Sequence, residues 1–158
     1  MNELVIKRAI IFSLIFGAVL GLLASIPSII GICVAIVTFF ASPIVILYMK
    51  KNEKYLNYLD NEKGAILGSI IGFSTGLGFF ITFTLMVCIL SLIMKIYSYG
   101  IPYIISNAFW LYLIIIIMVS AIFAMINAAS GMGIIFLINR FSKKPQEYDT
   151  PLDIKIED

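Results

Sequence analysis

Three long stretches of the chain contain no charged residue: residues 9–49, 64–94 and 96–139. An uncharged and predominantly apolar run of about 18 or more residues is long enough to propose a membrane-spanning helix. A transmembrane β-barrel would instead need segments of about ten residues with strict alternation, which these continuous Ile, Leu and Phe runs lack. The pattern therefore predicts an all-α, polytopic integral membrane protein with one transmembrane domain over residues 1–142.

The first uncharged stretch is too long for one span, because a helix needs only about 20 residues to cross the hydrocarbon core. Pro27 lies within this stretch, and a proline pushes the preceding residue out of the helical region. We therefore expect two helices, over residues 8–25 and 28–49, joined by a tight hairpin. Pro43 is expected to kink the second helix and to leave the carbonyl of Phe39 without its usual partner, unless a hydroxyl such as that of Ser42 or a neighbouring group compensates.

The other two stretches predict one helix each, over residues 64–94 and 108–139, and these form a second hairpin. At about 1.5 Å per residue, the first of them exceeds a hydrocarbon core of about 30 Å. It is expected either to project past the bilayer or to bend near residues 72–78, where glycines are frequent. Residues 143–158 combine mixed charge, prolines and no apolar periodicity, which predicts a disordered cytoplasmic tail.

Basic residues are distributed unevenly around the four predicted transmembrane helices. Of the 11 Lys and Arg residues, all but Lys95 lie on one side of the four-span arrangement. Because basic residues concentrate on the cytoplasmic side of membrane proteins, both termini and the loop over residues 50–63 are predicted to be cytoplasmic. We expect a multi-pass protein of the cytoplasmic membrane of a prokaryote.

Four glycines recur at every fourth position in the third predicted span: Gly64, Gly68, Gly72 and Gly76. On a helix they form a row that we call the glycine stripe, a pattern of the glycine-zipper type. Such a row lets another backbone approach closely in lipid, where the hydrophobic effect does not press helices together. Ala124 and Ala128 supply a weaker edge of the same kind in the fourth span. Whether the glycine stripe faces these alanines or a second copy of the chain is left open.

Asn127 is the polar side chain that is most costly to leave unpaired within the predicted spans. We expect it to face another helix and to hydrogen-bond to a serine, a threonine or a backbone carbonyl, which would fix the register between helices. The alternative is a role in permeation or in substrate binding. Asn127 completes the predicted helix-packing residues, together with the glycine stripe, Ala124 and Ala128.

Composition and charge limit the kinds of chemical function that the chain can have. The chain is 61% hydrophobic and 13% charged, with a net charge of +2 and no histidine. Every Asp and Glu lies outside the predicted spans, whereas acid–base or metal catalysis needs positioned ionisable groups and coupled transport usually leaves one in the membrane. Cys33 and Cys88 lie inside apolar runs and are interpreted as small core residues. We therefore predict no catalytic residues, no metal and no cofactor, and the small net charge does not favour nucleic acid as a partner.

Two functions are favoured at this level, and a third, that of a holin-like lesion-forming protein, is less favoured because the tail ends in acidic rather than densely basic sequence. The leading prediction is a non-catalytic membrane protein that acts through helix–helix association in the lipid bilayer, either as a homo-oligomer or as an accessory subunit of a membrane complex. The alternative is a small channel or uncoupled permeability component for an uncharged or lipid-like solute, lined by hydroxyl groups of the third span. The sequence does not identify the solute or the partner.

Overall fold

A computed structural model of the protein describes residues 3–25, 29–52, 60–94 and 107–141. These residues are almost entirely helical and contain no strand, which confirms the predicted all-α class. The helices are α1 (Glu3–Ala24), α2 (Ile29–Phe39), α3 (Ala41–Asn52), α4 (Asn61–Met94) and α5 (Phe109–Phe141). Three of them, α1, α4 and α5, are long and apolar enough to cross a membrane. The predicted disordered tail over residues 143–158 lies outside the described residues.

α1 and α4 begin earlier than predicted, within sequence that contains charged residues. α1 begins at Glu3 rather than at residue 8, and the Lys7 ammonium lies 2.8 Å from the Glu3 carboxylate one turn away, a spacing that supports a helix. α4 begins directly after Asp60, whose carbonyl accepts the N–H of Gly64 at 2.9 Å. A hydrogen bond from the Lys63 ammonium lowers the pKa of the Asp60 carboxyl. Both helices therefore start in polar sequence and continue into apolar sequence.

The expected second span is divided into two short helices, α2 and α3, which meet at Phe40. The N–H of Phe40 donates to the carbonyl of Val37 at 3.0 Å, so the chain tightens into a three-residue turn at the end of α2. The break lies just before Pro43, because a proline has no N–H and its ring clashes with the carbonyl four residues earlier, that of Phe39. The expected kink is thus a complete interruption. With 11 and 12 residues, neither half reaches the roughly 20 residues of a membrane span.

α4 is the central helix, and α1 runs parallel to it. A Cβ atom added to Gly17 of α1 would overlap the carbonyl oxygen of Thr75, and one added to Gly21 would lie 2.5 Å from the carbonyl oxygen of Phe79. Later residues of α1 contact later residues of α4, so the two helices run parallel. The missing side chains of these glycines let the two backbones touch.

α5 runs antiparallel to α4 along another side. Near its start, α4 places Gly64 against Ile135, and further along it places Gly76 against Ser120. Later residues of α4 contact earlier residues of α5, so the two helices run in opposite directions. α4 continues as a helix through residues 72–78, where a bend was the alternative to projection past the bilayer.

α2 and α3 together pass back along α1. Leu20 packs with Val34 of α2 in one buried cluster, and the rings of Phe12 and Tyr48 of α3 are 5.2 Å apart. The main buried cluster joins α1, α3, α4 and α5 and consists of Val5, Ala9, Ala41, Val45, Ile46, Met49, Leu67, Ile71, Ile135 and Ile138. The core therefore lies among these four helices at the end of the bundle where α1 and α4 begin.

The outward faces of the bundle carry large apolar side chains. Trp110, Met125 and Phe141 are 76%, 75% and 80% exposed, and many Ile and Leu side chains accompany them. A soluble protein rarely exposes contiguous apolar patches larger than a few hundred Å². Lipid solvates such faces at no cost, which agrees with the length and apolarity of α1, α4 and α5.

Candidate functional site

One side chain, that of Asn127 on α5, fills the break between α2 and α3. Its Oδ1 accepts the N–H of Ser42 at 2.7 Å, and its Nδ2 donates to the carbonyl of Thr38 at 3.3 Å. Nδ2 also donates to the carbonyl of Phe123 in its own helix at 3.0 Å. Asn127 is fully buried, so these bonds form away from solvent. We call Asn127, Thr38 and Ser42 the helix-break cluster.

The Asn127 amide takes the place of one backbone hydrogen bond. In a continuous helix, the N–H of Ser42 would bond to the carbonyl four residues earlier, which is the carbonyl of Thr38. The amide inserts between these two groups and bonds to both. Insertion of a side chain into the backbone ladder is a recognised cause of a helix break. A backbone opened in lipid must find such partners internally, since no water is present to supply them.

Asn127 was predicted from the sequence to be a helix-packing residue. Its amide was expected to face another helix and to bond to a hydroxyl or a backbone carbonyl, and the structure places it against backbone groups of α2 and α3. The carbonyl expected to need a partner was that of Phe39, whereas the amide bonds to Thr38. Sequence reasoning missed the Ser42 N–H as a partner, although the following residue, Pro43, was a usable signal for an open helix at this position.

The middle of the glycine stripe brings Asn127 to the break. A Cβ atom added to Gly68 would overlap the carbonyl oxygen of Asn127. One added to Gly72 would lie 2.5 Å from the Cβ of Asn127 and 2.6 Å from the carbonyl oxygen of Phe123. These separations are too short for any side chain on α4. Close contact between the two backbones therefore sets how far the amide reaches toward α2 and α3.

The outer members of the glycine stripe also contact α5, but the alanines do not provide the closest contacts. Gly64 lies nearest to Ile135 and Gly76 nearest to Ser120. Ala124 and Ala128, the expected facing edge, are both half-buried beside this contact. Around the helix axis, Ala124 and Ala128 lie about 60° and 100° from Asn127. They are therefore displaced from the face of α5 that contacts the glycine stripe.

Gly131 marks the place where α3, α4 and α5 meet. A Cβ atom added to it would lie 2.8 Å from each of three atoms: the carbonyl oxygen of Gly64, the Cα of Gly68 and the Oγ of Ser42. Sequence reasoning left Gly131 out of the predicted packing residues. Its spacing of one helical turn from Asn127 was the available signal.

Three buried hydroxyl groups near this centre have no hydrogen-bond partner among the described residues. They belong to Ser42, Thr75 and Ser120, each of which is fully buried. A buried hydroxyl without a partner costs about 1–3 kcal/mol. Within the described part of the chain, no group of three or more acidic, Cys or His side chains is placed to hold a metal ion. The polar side chains gathered here carry no formal charge.

Two grooves lie on the outside of the bundle. The first, which we call the α4 groove, has a volume of about 400 Å³ and is lined by Ile10, Ser69, Ile70, Phe73, Ser74, Ala121 and Ala124. The second, which we call the α1–α3 groove, has a volume of about 350 Å³ and is lined by Phe12, Ile15, Phe16, Val19, Ile44, Val45 and Tyr48. The α4 groove contains several small side chains, whereas the α1–α3 groove is lined by large ones.

No protein-family model, no curated protein and no solved structure matches the chain. The function therefore has to be inferred from the geometry of the helix-break cluster and of the two grooves.

Proposed function

We propose that this protein is a multi-pass protein of the cytoplasmic membrane of a prokaryote and crosses the bilayer four times, with both termini in the cytoplasm. In this arrangement α2 and α3 together form the second crossing, since they run jointly antiparallel to α1 and reach from residue 29 to residue 52. Their break is compatible with lipid because Asn127 bonds to the backbone groups on both sides of it. The excess of basic residues on one side supports the orientation.

Within the membrane, the protein acts without catalysis, by associating with another transmembrane helix. That helix belongs to a second copy of the chain or to another subunit of a membrane complex. The observation that carries this proposal is the α4 groove. The groove exposes the central helix between α1 and α5, and there Ser69, Ala121 and Ala124 present small side chains. Small side chains are the usual means by which helix backbones approach each other in lipid.

The glycine stripe is a poor target for a test of association. Gly68 and Gly72 already contact Asn127 of the same chain, so larger residues there would disturb the bundle itself as well as any complex. A loss of assembly in such variants would not separate the two effects. The α4 groove avoids this problem because Ala121 is exposed and Ala124 is only half-buried.

Replacing Ala124 with leucine is expected to raise the dissociation constant of the complex about tenfold, because overpacking a contact costs roughly 1–3 kcal/mol. Light scattering in detergent would measure the mass of a homo-oligomer, and crosslinking in native membranes would measure recovery of a partner subunit. Ala121→Leu should act in the same direction. Ala129→Leu is the matched control, since Ala129 is exposed and lies about 140° from Ala124 around the helix.

The association proposal would be contradicted if Ala124→Leu and Ala121→Leu left both the mass and the partner recovery unchanged. An equal loss with Ala129→Leu would place the contact on another face of α5 and would reject the α4 groove. Circular dichroism of each variant would establish that the helices are retained.

The second candidate function is uncoupled permeation of a small uncharged solute, favoured by the buried hydroxyls of Ser42, Thr75 and Ser120. Liposomes containing only this protein are expected to take up glycerol faster than empty liposomes, while sucrose stays excluded. Thr75→Val and Ser120→Ala should lower the glycerol rate, which light scattering after rapid mixing would record. Equal entry of glycerol and sucrose, or no entry of either, would remove this candidate.

A further inference from the structure

The hydroxyl group of Ser74 lines the α4 groove and has no hydrogen-bond partner among the described residues. Ser74 is only 7% exposed. Three other hydroxyl groups of α4 instead donate to the carbonyl four residues earlier in the helix, those of Ser69, Thr82 and Ser91. Such a bond satisfies a hydroxyl within its own helix. The Ser74 hydroxyl therefore remains available to a group that enters the groove from outside the bundle.

Ser74 lies near the middle of the bilayer in the proposed four-span arrangement. It follows Lys63, the last charged residue before the apolar part of α4, by 11 residues, which is about 16 Å along a helix. The hydrocarbon core is about 30 Å thick, so this depth is far from water and from the headgroups. Hydrocarbon offers no donor or acceptor, and a polar group without a partner is costly there. The Ser74 hydroxyl therefore indicates an occupant of the groove that carries a polar group.

Ser74 belongs to a row of residues on the outer face of α4. Ile70 lies four residues before it, Leu77 three residues after it and Ile81 seven residues after it, and all four positions fall within about 60° around the helix axis. Ile81 is exposed, and Ile70 and Leu77 are half-buried. Spacings of four and three residues are typical of the seam between two helices that cross at about 20°, a common arrangement in membranes. We call these four residues the α4 seam.

The α4 seam is complementary to a second copy of itself. In a parallel helix pair related by a two-fold axis, each seam residue faces the same residue of the other copy. A hydroxyl group both donates and accepts hydrogen bonds, so two Ser74 side chains can bond to each other. Residues 64–94 carry no charge, so two copies of this face do not repel each other. A second copy therefore supplies the missing partner without any further polar residue.

We propose that the occupant of the α4 groove is a second copy of the chain, related to the first by a two-fold axis along the bilayer normal, with the two Ser74 hydroxyls hydrogen-bonded across the α4 seam. An axis along the normal keeps the cytoplasmic ends of both copies on the same side of the membrane. The inference rests on the proposed association through the α4 groove and names the partner in that association.

Disulfide crosslinking in native membranes tests the two-fold contact. Cys33 and Cys88 are first replaced with alanine, and the single cysteine introduced by Ser74→Cys or by Ile81→Cys is then oxidised with copper phenanthroline. Each variant is expected to give a product of twice the chain mass that a reducing agent removes. Ala129→Cys is the matched control, since Ala129 is exposed on another face of the bundle, and it should remain monomeric. The proposal is wrong if neither seam variant is crosslinked or if the control is crosslinked equally.

The hydroxyl pair is tested by Ser74→Ala, which should raise the dissociation constant of the dimer about threefold, in line with the usual strength of polar contacts between membrane helices. Ser69→Ala is the control and should leave the constant unchanged, because the Ser69 hydroxyl already bonds to the carbonyl of Ala65 at 3.1 Å. Sedimentation equilibrium in detergent would measure both variants. No effect of Ser74→Ala, or an equal effect of Ser69→Ala, would overturn the pairing of the two hydroxyls.

These experiments also distinguish the identity of the partner from the association itself. If Ala124→Leu lowers the recovery of a different subunit while Ser74→Cys and Ile81→Cys give no crosslinked product, the association holds and the second copy is rejected as the occupant. If Ala124→Leu has no effect and no crosslinked product forms, both proposals fail.

Discussion

Replacing Asn127 with leucine is expected to lower the free energy of unfolding by about 2–3 kcal/mol, because the buried hydrogen bonds of the amide to the N–H of Ser42 and to the carbonyl of Thr38 are then lost. Leucine has the same branching at Cγ as asparagine but is larger, so overpacking adds to the cost of the lost hydrogen bonds. Individual polar contacts between membrane helices average about 0.6 kcal/mol, and the estimate is higher here because one amide bonds to two backbone groups at the break. Denaturation of the protein in mixed micelles, followed by circular dichroism, would measure the change.

The control for this variant is Ser130→Ala on the same helix. The Ser130 hydroxyl is half-buried and donates to the carbonyl of Asn127 within α5 at 3.2 Å, so its removal should cost no more than about 0.5 kcal/mol. Equal effects of the two substitutions would contradict a special role for the Asn127 amide at the break.

Pro43 offers a second test of the same interpretation. Replacing Pro43 with alanine restores an N–H that can bond to the carbonyl of Phe39, and this should allow the N–H of Ser42 to return to the carbonyl of Thr38. In the Asn127→Leu background, Pro43→Ala is therefore expected to recover about 1 kcal/mol or more of the lost stability. Absence of any recovery would mean that the break does not depend on the proline and the amide together.

The helix class was predictable because it follows from local pattern. The absence of charge over residues 64–94 and 96–139 is visible in the sequence, and α4 and α5 cover most of both ranges. The interruption of α2 and α3 was only partly predictable. Pro43 indicated a distortion, but a complete break also depends on Asn127, which lies 85 residues from Ser42 along the chain.

The candidate site was less predictable, because it depends on which helix faces meet. A row of small residues indicates that a backbone approaches closely, but not which one. Ala124 and Ala128 have the favoured spacing, yet α5 presents Asn127 and Gly131 to the glycine stripe. The buried amide gains its partners across the bundle only if Asn127 turns inward, and this moves both alanines aside. The spacing of small residues along one helix does not show which face of that helix turns inward.

Gly72→Ala is expected to destabilise the bundle by about 3 kcal/mol, the upper end of the usual cost of overpacking a core. The added methyl group would lie 2.5 Å from the Cβ of Asn127 and 2.6 Å from the carbonyl oxygen of Phe123, so α5 would have to move away from α4. Gly133→Ala is the matched control, since nothing lies within 4 Å of the added atom. The control should be neutral or stabilise the protein by up to about 1 kcal/mol, because alanine is the better helix former. The same micelle denaturation would measure both variants.

The double variant Gly72→Ala with Asn127→Leu distinguishes a local clash from loss of the helix-break cluster. If the methyl group acts by pushing Asn127 away from Thr38 and Ser42, then both substitutions remove the same hydrogen bonds. Their combined cost should then fall short of the sum by about 1 kcal/mol or more, as expected for residues in direct contact. Simple additivity would show that Gly72 supports the α4–α5 contact without controlling the amide. A similar shortfall in Gly133→Ala with Asn127→Leu would point to a general loss of cooperativity instead.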